Sequence, residues 1–149
     1  MHYLLICAIV LAMTTTNSQA TEQFGVHFML DGYGASEATL KDKEMLTNML
    51  HNIPKAMGMH VINEPVVVEV GPKNRKDPGG LSGFVMIAES HISFHTFPAR
   101  GFVTIDVYTC QNDLDTDKLK AEFTQAFKLE SSDIHIQKRG TKYPTENIY

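Results

Sequence analysis

The sequence has 149 residues, of which 43% are hydrophobic and 20% are charged, so its length indicates one domain and its composition excludes a disordered tail or a fibrous repeat. Thirteen basic residues against seventeen acidic ones give a net charge of −4. Without a basic surplus, neither a nucleic acid nor an anionic membrane surface is the expected partner. The two cysteines, Cys7 and Cys110, are too few for the disulfide framework of a small secreted domain.

An uncharged, apolar segment opens the chain. The first twenty residues contain no Asp, Glu, Lys or Arg, and the apolar run over residues 4–13 is too short to span a bilayer. This run and the small residues Ser18 and Ala20 are typical of a secretory signal, although no basic side chain precedes the run. Residues 1–20 are therefore either a cleaved signal peptide, which makes export possible, or an N-terminal extension. Residues 21–149 are expected to form the single domain and to fold without them.

The first half of this domain alternates between strand and helix patterns. Alternation over residues 26–30 predicts a strand that ends in a turn at residues 31–34. An apolar stripe from Leu40 to Ile53 predicts one helix that ends near Gly58. Residues 66–70 predict a second strand, and the Gly- and Pro-rich residues 71–80 predict a loop.

Three more strands are predicted in the middle of the chain. Residues 84–88 are apolar without alternation, which favours a strand covered on both faces. Residues 92–97 and 102–109 predict two further strands, joined by a turn at residues 98–101. In the last of these strands the apolar residues alternate with Thr104, Asp106 and Tyr108, so Cys110 ends a polar row.

A second helix and a sixth strand complete the predicted elements. Leu119, Phe123 and Phe127 lie at helical spacing, and Asp115 is the expected N-cap. Residues 134–137 predict a short last strand. About six strands and two helices without internal repeats indicate an α+β sandwich.

Polar side chains are concentrated between residues 81 and 98, where two His, three Ser and one Glu interrupt otherwise apolar strands. Common nucleophile, phosphate-binding, dinucleotide-binding and zinc motifs are absent from the sequence. A single buried His or Ser more often has a structural, hydrogen-bonded role, so the concentration of such residues is the functional signal.

Four segments carry a resemblance to the prokaryotic S-adenosylmethionine decarboxylase proenzyme family. They are Gly80-Leu81-Ser82-Gly83, Ala88-Glu89-Ser90-His91-Ile92, His95-Thr96-Phe97-Pro98 and Asp106-Val107-Tyr108-Thr109-Cys110. The order of the flanking elements is compatible with this family from residue 24 to about residue 144. The resemblance implies an antiparallel sheet with helices on one face, and a homodimer of cleaved protomers.

The resemblance also implies that the chain cleaves itself between Glu89 and Ser90, giving a beta chain that ends at Glu89 and an alpha chain that begins at Ser90. The hydroxyl of Ser90 would attack the Glu89 carbonyl, His95 would remove the Cα proton of Ser90, and Ser82 would support this processing. Ser90 would thereby become a pyruvoyl group, which is the cofactor. This group would form a Schiff base with a small-molecule amine, and Cys110 would return a proton to the decarboxylated substrate.

The implied product is the aminopropyl donor for spermidine and other polyamines, and the implied location is the cytoplasm.

One geometric condition accompanies these roles. Ser90 and His95 are five residues apart, so in a continuous strand their side chains would point to opposite faces. Ser90 is therefore expected on a bend that precedes the strand, where a strained peptide bond would favour cleavage.

The sequence departs from the family pattern near the expected substrate. The acidic residue that usually follows the Pro is Ala99 here, with Arg100 after it, and the loop over residues 73–77 has no aromatic side chain. Phe97 and Arg100 remain as candidate substrate contacts.

Two alternatives therefore stay open. One is a pyruvoyl-dependent decarboxylase of a basic amino acid such as arginine or ornithine. The other is a non-enzymatic protein that binds a metal through His91, His95 and Cys110. The decarboxylase interpretations need no metal.

Overall fold

The structure is a computed structural model that describes residues 23–144. The predicted signal peptide or extension, residues 1–20, lies outside the described residues. Within residues 23–144, no helix is long and apolar enough to cross a membrane.

Six antiparallel strands form one sheet in the order β2-β3-β4-β5-β1-β6. The strands are β1 (Gly25–Tyr33), β2 (Val66–Val70), β3 (Gly80–Ile87), β4 (Ser90–Phe97), β5 (Phe102–Thr109) and β6 (Ser131–Arg139). Helices cover one face of the sheet, which confirms the predicted α+β sandwich of an antiparallel sheet with helices on one face.

The predicted first helix is in fact two helices, α1 (Glu37–Lys41) and α2 (Lys43–Ala56). The break falls at Asp42, whose carboxylate accepts a hydrogen bond from the backbone N–H of Met45 at 2.9 Å and so begins a new helix. The predicted cap of the last helix is confirmed. In α3 (Thr116–Phe127), Asp115 accepts from the N–H of Lys118 at 2.9 Å.

Several predicted strand boundaries were wrong. β3 begins at Gly80 instead of residue 84, and β4 begins at Ser90 instead of residue 92, because the two strands pair over this length. β1 continues through residues 31–33, where a turn was expected, because β5 and β6 pair with it along that length. The left-handed conformation needed to leave the strand occurs one residue later, at Gly34 with φ 79°. The last strand is longer than predicted, because β6 follows β1 over its whole length.

The core lies between the sheet and the helices. Alternate residues of β3, β4 and β5 point into it, and Phe94 is fully buried because its ring occupies the space that a side chain at Gly83 would need. The largest fully buried side chains are Phe28, Phe94, Phe123, Phe127, Leu30, Leu40, Leu46, Leu50, Ile87, Ile92, Ile105 and Leu119.

The opposite face of the sheet is uncovered in the single chain. Residues 84–88 were expected to be covered on both faces, but the single chain covers only one of them, since Phe84 is 41% exposed and Met86 is 44% exposed. We call this surface the open face. Its central side chains are Val66, Val68, Val70, Ser82, Phe84, Met86, His91, Ser93, His95, Phe97, Phe102, Thr104, Asp106 and Tyr108.

Candidate active site

A tight hairpin turn joins β3 to β4. Ile87 pairs with Ser90, so Ala88 and Glu89 alone form the turn, and Ser90 is the first residue of β4. Ser90 has φ 149°, a value that residues with a side chain rarely adopt. The predicted bend lies at Ala88 and Glu89, whereas Ser90, which was expected on the bend, is already paired as the first residue of β4. The strained residue lies directly after the Glu89–Ser90 peptide bond.

The residues that follow α2 hold this turn in place. The N–H of Ala88 donates to the carbonyl of His60 at 2.8 Å. The carboxylate of Glu89 accepts from the N–H of His60 at 3.0 Å and lies 2.7 Å from its Nδ1. Desolvation alone would raise the pKa of Glu89, but the hydrogen bonds from His60 outweigh it and lower that pKa below its usual value. Glu89 is therefore ionised at neutral pH and fixed to His60.

The carbonyl of Glu89 is hydrogen-bonded as well. The end of β5 pairs with the start of β4, Thr109 opposite Ser90, and the N–H of Cys110 donates to the Glu89 carbonyl oxygen at 3.0 Å. A backbone N–H at this position polarises the carbonyl and can stabilise negative charge that develops on its oxygen. Cys110 itself is exposed and lies just beyond β5, as the predicted polar row requires.

Gly25 allows this contact, because a side chain there would overlap the carbonyl of Thr109 and lie 3.0 Å from the Cα of Cys110. We expect Gly25→Ala to displace the Cys110 N–H from Glu89 and to slow any reaction at this carbonyl by about 10- to 100-fold. Gly71→Ala is the matched control, since nothing lies within 4 Å of a Cβ there. Equal rates of chain cleavage on gels for Gly25→Ala and Gly71→Ala would contradict this expectation.

The hydroxyl of Ser90 contacts a histidine that the sequence analysis named only as a metal ligand. Ser90 Oγ lies 3.1 Å from Nδ1 of His91. The expected base, His95, instead pairs with Ser82 across β3 and β4, with 2.8 Å between Ser82 Oγ and His95 Nδ1. The structure thus brings Ser82 and His95 together but does not bring either to Ser90.

The two candidate substrate contacts have partners within the chain. Phe97 stacks on Phe102 with 5.6 Å between the ring centroids. Arg100 donates from Nη2 to the carbonyl of Arg75 at 2.7 Å, which fixes the predicted loop against the end of β4.

Two adjoining clefts border this loop. One, of about 470 Å³, is lined by Ala99 together with residues from both ends of the loop. The other, of about 230 Å³, is lined by Asp77, Ser82, His95 and Phe97. Neither Asp77 nor His60 was predicted as a site residue, because their positions depend on loop and turn contacts that no short motif encodes.

The metal-binding alternative finds no support in the part of the chain that the structure describes. No group of three or more His, Cys, Asp or Glu side chains in residues 23–144 could hold a metal ion. In particular, His91, His95 and Cys110 do not form a ligand set there.

Comparison with solved structures places this fold in an enzyme class. A crystal structure of the adenosylmethionine decarboxylase from Aquifex aeolicus matches with a TM-score of 0.67 and 26% sequence identity, and the match covers 80% of this chain and 92% of that one. The shared fold and its sequence similarity indicate a decarboxylase.

Sequence comparison gives the family. The family model for S-adenosylmethionine decarboxylase matches residues 26–140. The S-adenosylmethionine decarboxylase proenzyme of Archaeoglobus fulgidus is 30% identical over 117 residues, which is 78% of this chain and 97% of that protein. The proenzyme of Methanococcus maripaludis is 30% identical over 119 residues, covering 80% of this chain and 92% of that protein. The chain belongs to the S-adenosylmethionine decarboxylase family.

Proposed function

We propose that this protein is a self-cleaving, pyruvoyl-dependent decarboxylase of S-adenosylmethionine that supplies the aminopropyl donor for polyamine synthesis. The observation that carries the proposal is the Glu89–Ser90 hairpin, in which a strained Ser follows a carbonyl that accepts the N–H of Cys110. A serine hydroxyl is a weak nucleophile, so its attack on this carbonyl needs the strain, the polarised carbonyl and a nearby base that this hairpin offers.

The residues around Ser90 fit the formation of a pyruvoyl group from it. Ser90 is half-buried at the end of the sheet, and the carboxylate and the carbonyl of Glu89 are both fixed. When formed, this group supplies an electrophilic carbonyl that condenses with a substrate amine and withdraws electrons from the carbon that loses carbon dioxide. Cys110, exposed beside Ser90, is the proposed donor of the proton that this carbon then takes up.

We further propose that two protomers pair through the open face before cleavage and stay paired as cleaved protomers. Val66, Val68, Val70, Phe84 and Met86 expose 41% to 53% of their surface there, which is a large apolar area for one chain. Within one chain, five residues of strand place His95 roughly 16 Å from Ser90. If two open faces meet about a twofold axis, the Ser82–His95 pair of one protomer can approach Ser90 of the other.

The open-face dimer predicts a specific effect of charge. Val68→Lys introduces an ammonium group at the middle of the apolar surface, so burial of that group should oppose pairing. We expect sedimentation equilibrium to find a monomer for this variant and a dimer for the wild-type protein. Ile136→Lys is the control, because Ile136 is 52% exposed and pairs with the buried Phe28, so it lies on the helix-covered side of the sheet and not on the open face. Equal dimerisation of both variants would contradict the proposed interface.

The substrate is tested by release of carbon dioxide from S-adenosylmethionine, arginine and ornithine in parallel. A missing charged hydrogen-bond partner costs ~1.5–3 kcal/mol, so Ala99 is expected to weaken nucleoside binding about ten- to a hundredfold. We expect S-adenosylmethionine to be the preferred substrate and Ala99→Glu to raise its turnover at low concentration. Faster turnover of an amino acid, with no gain from Ala99→Glu, would favour the amino acid decarboxylase instead.

We also propose that the protein acts in the cytoplasm, where S-adenosylmethionine is made. Fractionation of a tagged full-length protein tests this location, and recovery outside the cell would count against this substrate.

A further inference from the structure

His91 is placed to accept a proton from Ser90. Its Nδ1 lies 3.1 Å from Ser90 Oγ, so in the Nε2–H tautomer it can accept the hydroxyl hydrogen bond. We propose that His91 is the base for the first step of chain cleavage, in which the hydroxyl of Ser90 attacks the Glu89 carbonyl. This inference rests on the proposed function, since it assigns a residue to the cleavage reaction.

Two aromatic rings hold the His91 imidazole in position. Phe84 stacks on it with 5.5 Å between centroids and 24° between planes. Tyr108 meets it edge-on at 5.9 Å and 63°. On β3, the residue paired with His91 is Met86, and Phe84 and Met86 are the side chains of β3 that face His91. Neither of these side chains titrates. The ring is therefore fixed beside Ser90 and shielded from solvent on two sides.

Titratable groups on three other strands act on His91. His27 on β1 lies 3.0 Å from the Asp106 carboxylate on β5, and Arg139 on β6 lies over the Tyr108 ring at 5.0 Å. Desolvation lowers the pKa of His91, His27 and Arg139 lower it further, and Asp106 opposes them. The pKa stays below its usual value of 6.5, so the ring is neutral at pH 7 and able to take up a proton.

The step balances without any other reactant. As the bond forms between Ser90 Oγ and the carbonyl carbon of Glu89, the hydroxyl proton moves to His91 Nδ1. The carbonyl oxygen becomes an oxyanion that accepts the Cys110 N–H. The bond from that carbon to the Ser90 nitrogen then breaks, and His91 returns the proton to this nitrogen. An amide has become an ester and a free amine, with no net change in protons or electrons.

This assignment divides the work between two histidines. His91 acts on the hydroxyl of Ser90 in its own chain, and it is needed before the ester exists. His95, whose Nδ1 is paired with Ser82, acts afterwards on the Cα proton of Ser90. Loss of either histidine stops cleavage, but it does so at different points.

Hydroxylamine separates these two points, because it cleaves an ester but not a peptide bond. We expect purified His91→Ala to stay at full length, with cleavage at least about 100-fold slower than wild type and no fragment released by hydroxylamine. His95→Ala is expected to release a fragment ending at Glu89 when hydroxylamine is added. His51→Ala, a histidine of α2 on the helix-covered side of the sheet, is the control and should cleave like wild type.

The pH dependence of cleavage and the rescue of His91→Ala by added imidazole distinguish a base from a residue that only maintains the structure. Cleavage of the wild-type chain should fall to half its maximum at a pH below 6.5 and lose rate as the pH falls further, because protonated His91 cannot accept the hydroxyl proton. Added imidazole should accelerate His91→Ala by occupying the space between Phe84 and Tyr108. His91→Asn, which keeps an acceptor near Ser90 but cannot carry a proton, should lose this pH dependence.

The role of His91 would be overturned by two results together. Both His91→Ala and His91→Asn would form the ester at the wild-type rate, and His91→Asn would keep the wild-type pH profile. If His91→Ala does not fold, as judged by circular dichroism, the rate of ester formation and the pH profile of His91→Asn decide whether His91 is the base. A wild-type chain that stays intact would instead overturn the proposed self-cleavage, so the two failures are distinguishable.

Discussion

Chains carrying Ser90→Ala, co-expressed with chains carrying His95→Ala, are expected to give a cleaved His95→Ala chain that neither variant gives alone. In the proposed open-face dimer, Ser90 of the His95→Ala chain would face the intact His95 of the partner subunit. The expectation follows from the geometry of one chain, in which His95 pairs with Ser82 and lies roughly 16 Å along the strand from Ser90. Differently tagged chains allow gels to show which one is cleaved.

The control for this experiment is each variant expressed alone, where cleavage should fall by at least about 100-fold. A second control co-expresses the doubly substituted Ser90→Ala/His95→Ala chain with His95→Ala, which leaves no intact His95 in any dimer. Absence of cleavage in the Ser90→Ala and His95→Ala mixture, despite dimers that contain both tags, would show that His95 acts within its own chain.

Cys110→Ser is expected to separate chain cleavage from decarboxylation. The backbone N–H of Cys110 contacts the Glu89 carbonyl whatever side chain residue 110 carries, so cleavage should run to completion. A hydroxyl is a much weaker acid than a thiol, so release of carbon dioxide from S-adenosylmethionine should fall about 100-fold or more. Gels measure the first reaction, and trapped radioactive carbon dioxide measures the second.

Gly25→Ala is the complementary control, because it disturbs the backbone of Cys110 while keeping its thiol. It should slow cleavage, whereas any chains that are cleaved should retain the ability to decarboxylate. Full decarboxylation by Cys110→Ser would contradict the assignment of Cys110 as the proton donor.

Much of the fold could be predicted because hydrophobic periodicity reports burial directly. Val103, Ile105 and Val107 alternate with polar residues, and all three are buried as predicted. The break at Asp42 was missed because the apolar stripe continues across it. The only signal for a new helix is a single hydrogen bond from the N–H of Met45 to the Asp42 carboxylate. The exposure of Phe84 and Met86 was missed because an apolar strand looks the same whether a helix, a partner chain or nothing covers it.

The candidate site was predictable only where a motif places its residues next to each other. Glu89 and Ser90 are adjacent, and the structure places both at the hairpin that opens β4, although Ser90 is the first residue of that strand and does not contact His95. The contact of His60 with Glu89 joins residues 29 positions apart, which no local pattern indicates.

The sequence also did not predict which histidine, His91 or His95, contacts the hydroxyl of Ser90. His91 follows Ser90 directly, but the strand pattern assigns neighbouring side chains to opposite faces. Only the unusual backbone of Ser90 brings its hydroxyl to His91. A conformation at one residue therefore decides which histidine contacts the nucleophile.

The intact mass of the purified wild-type protein tests self-cleavage at Glu89–Ser90 most directly. Self-cleavage predicts two species, one that ends at Glu89 and one that runs from residue 90 to Tyr149 and is lighter by one ammonia than a fragment beginning with serine. Ser90→Ala should give a single uncleaved chain, and Ser93→Ala, on the same strand, should give the two fragments. A wild-type protein that remains one chain after prolonged incubation, indistinguishable from Ser90→Ala, would contradict self-cleavage.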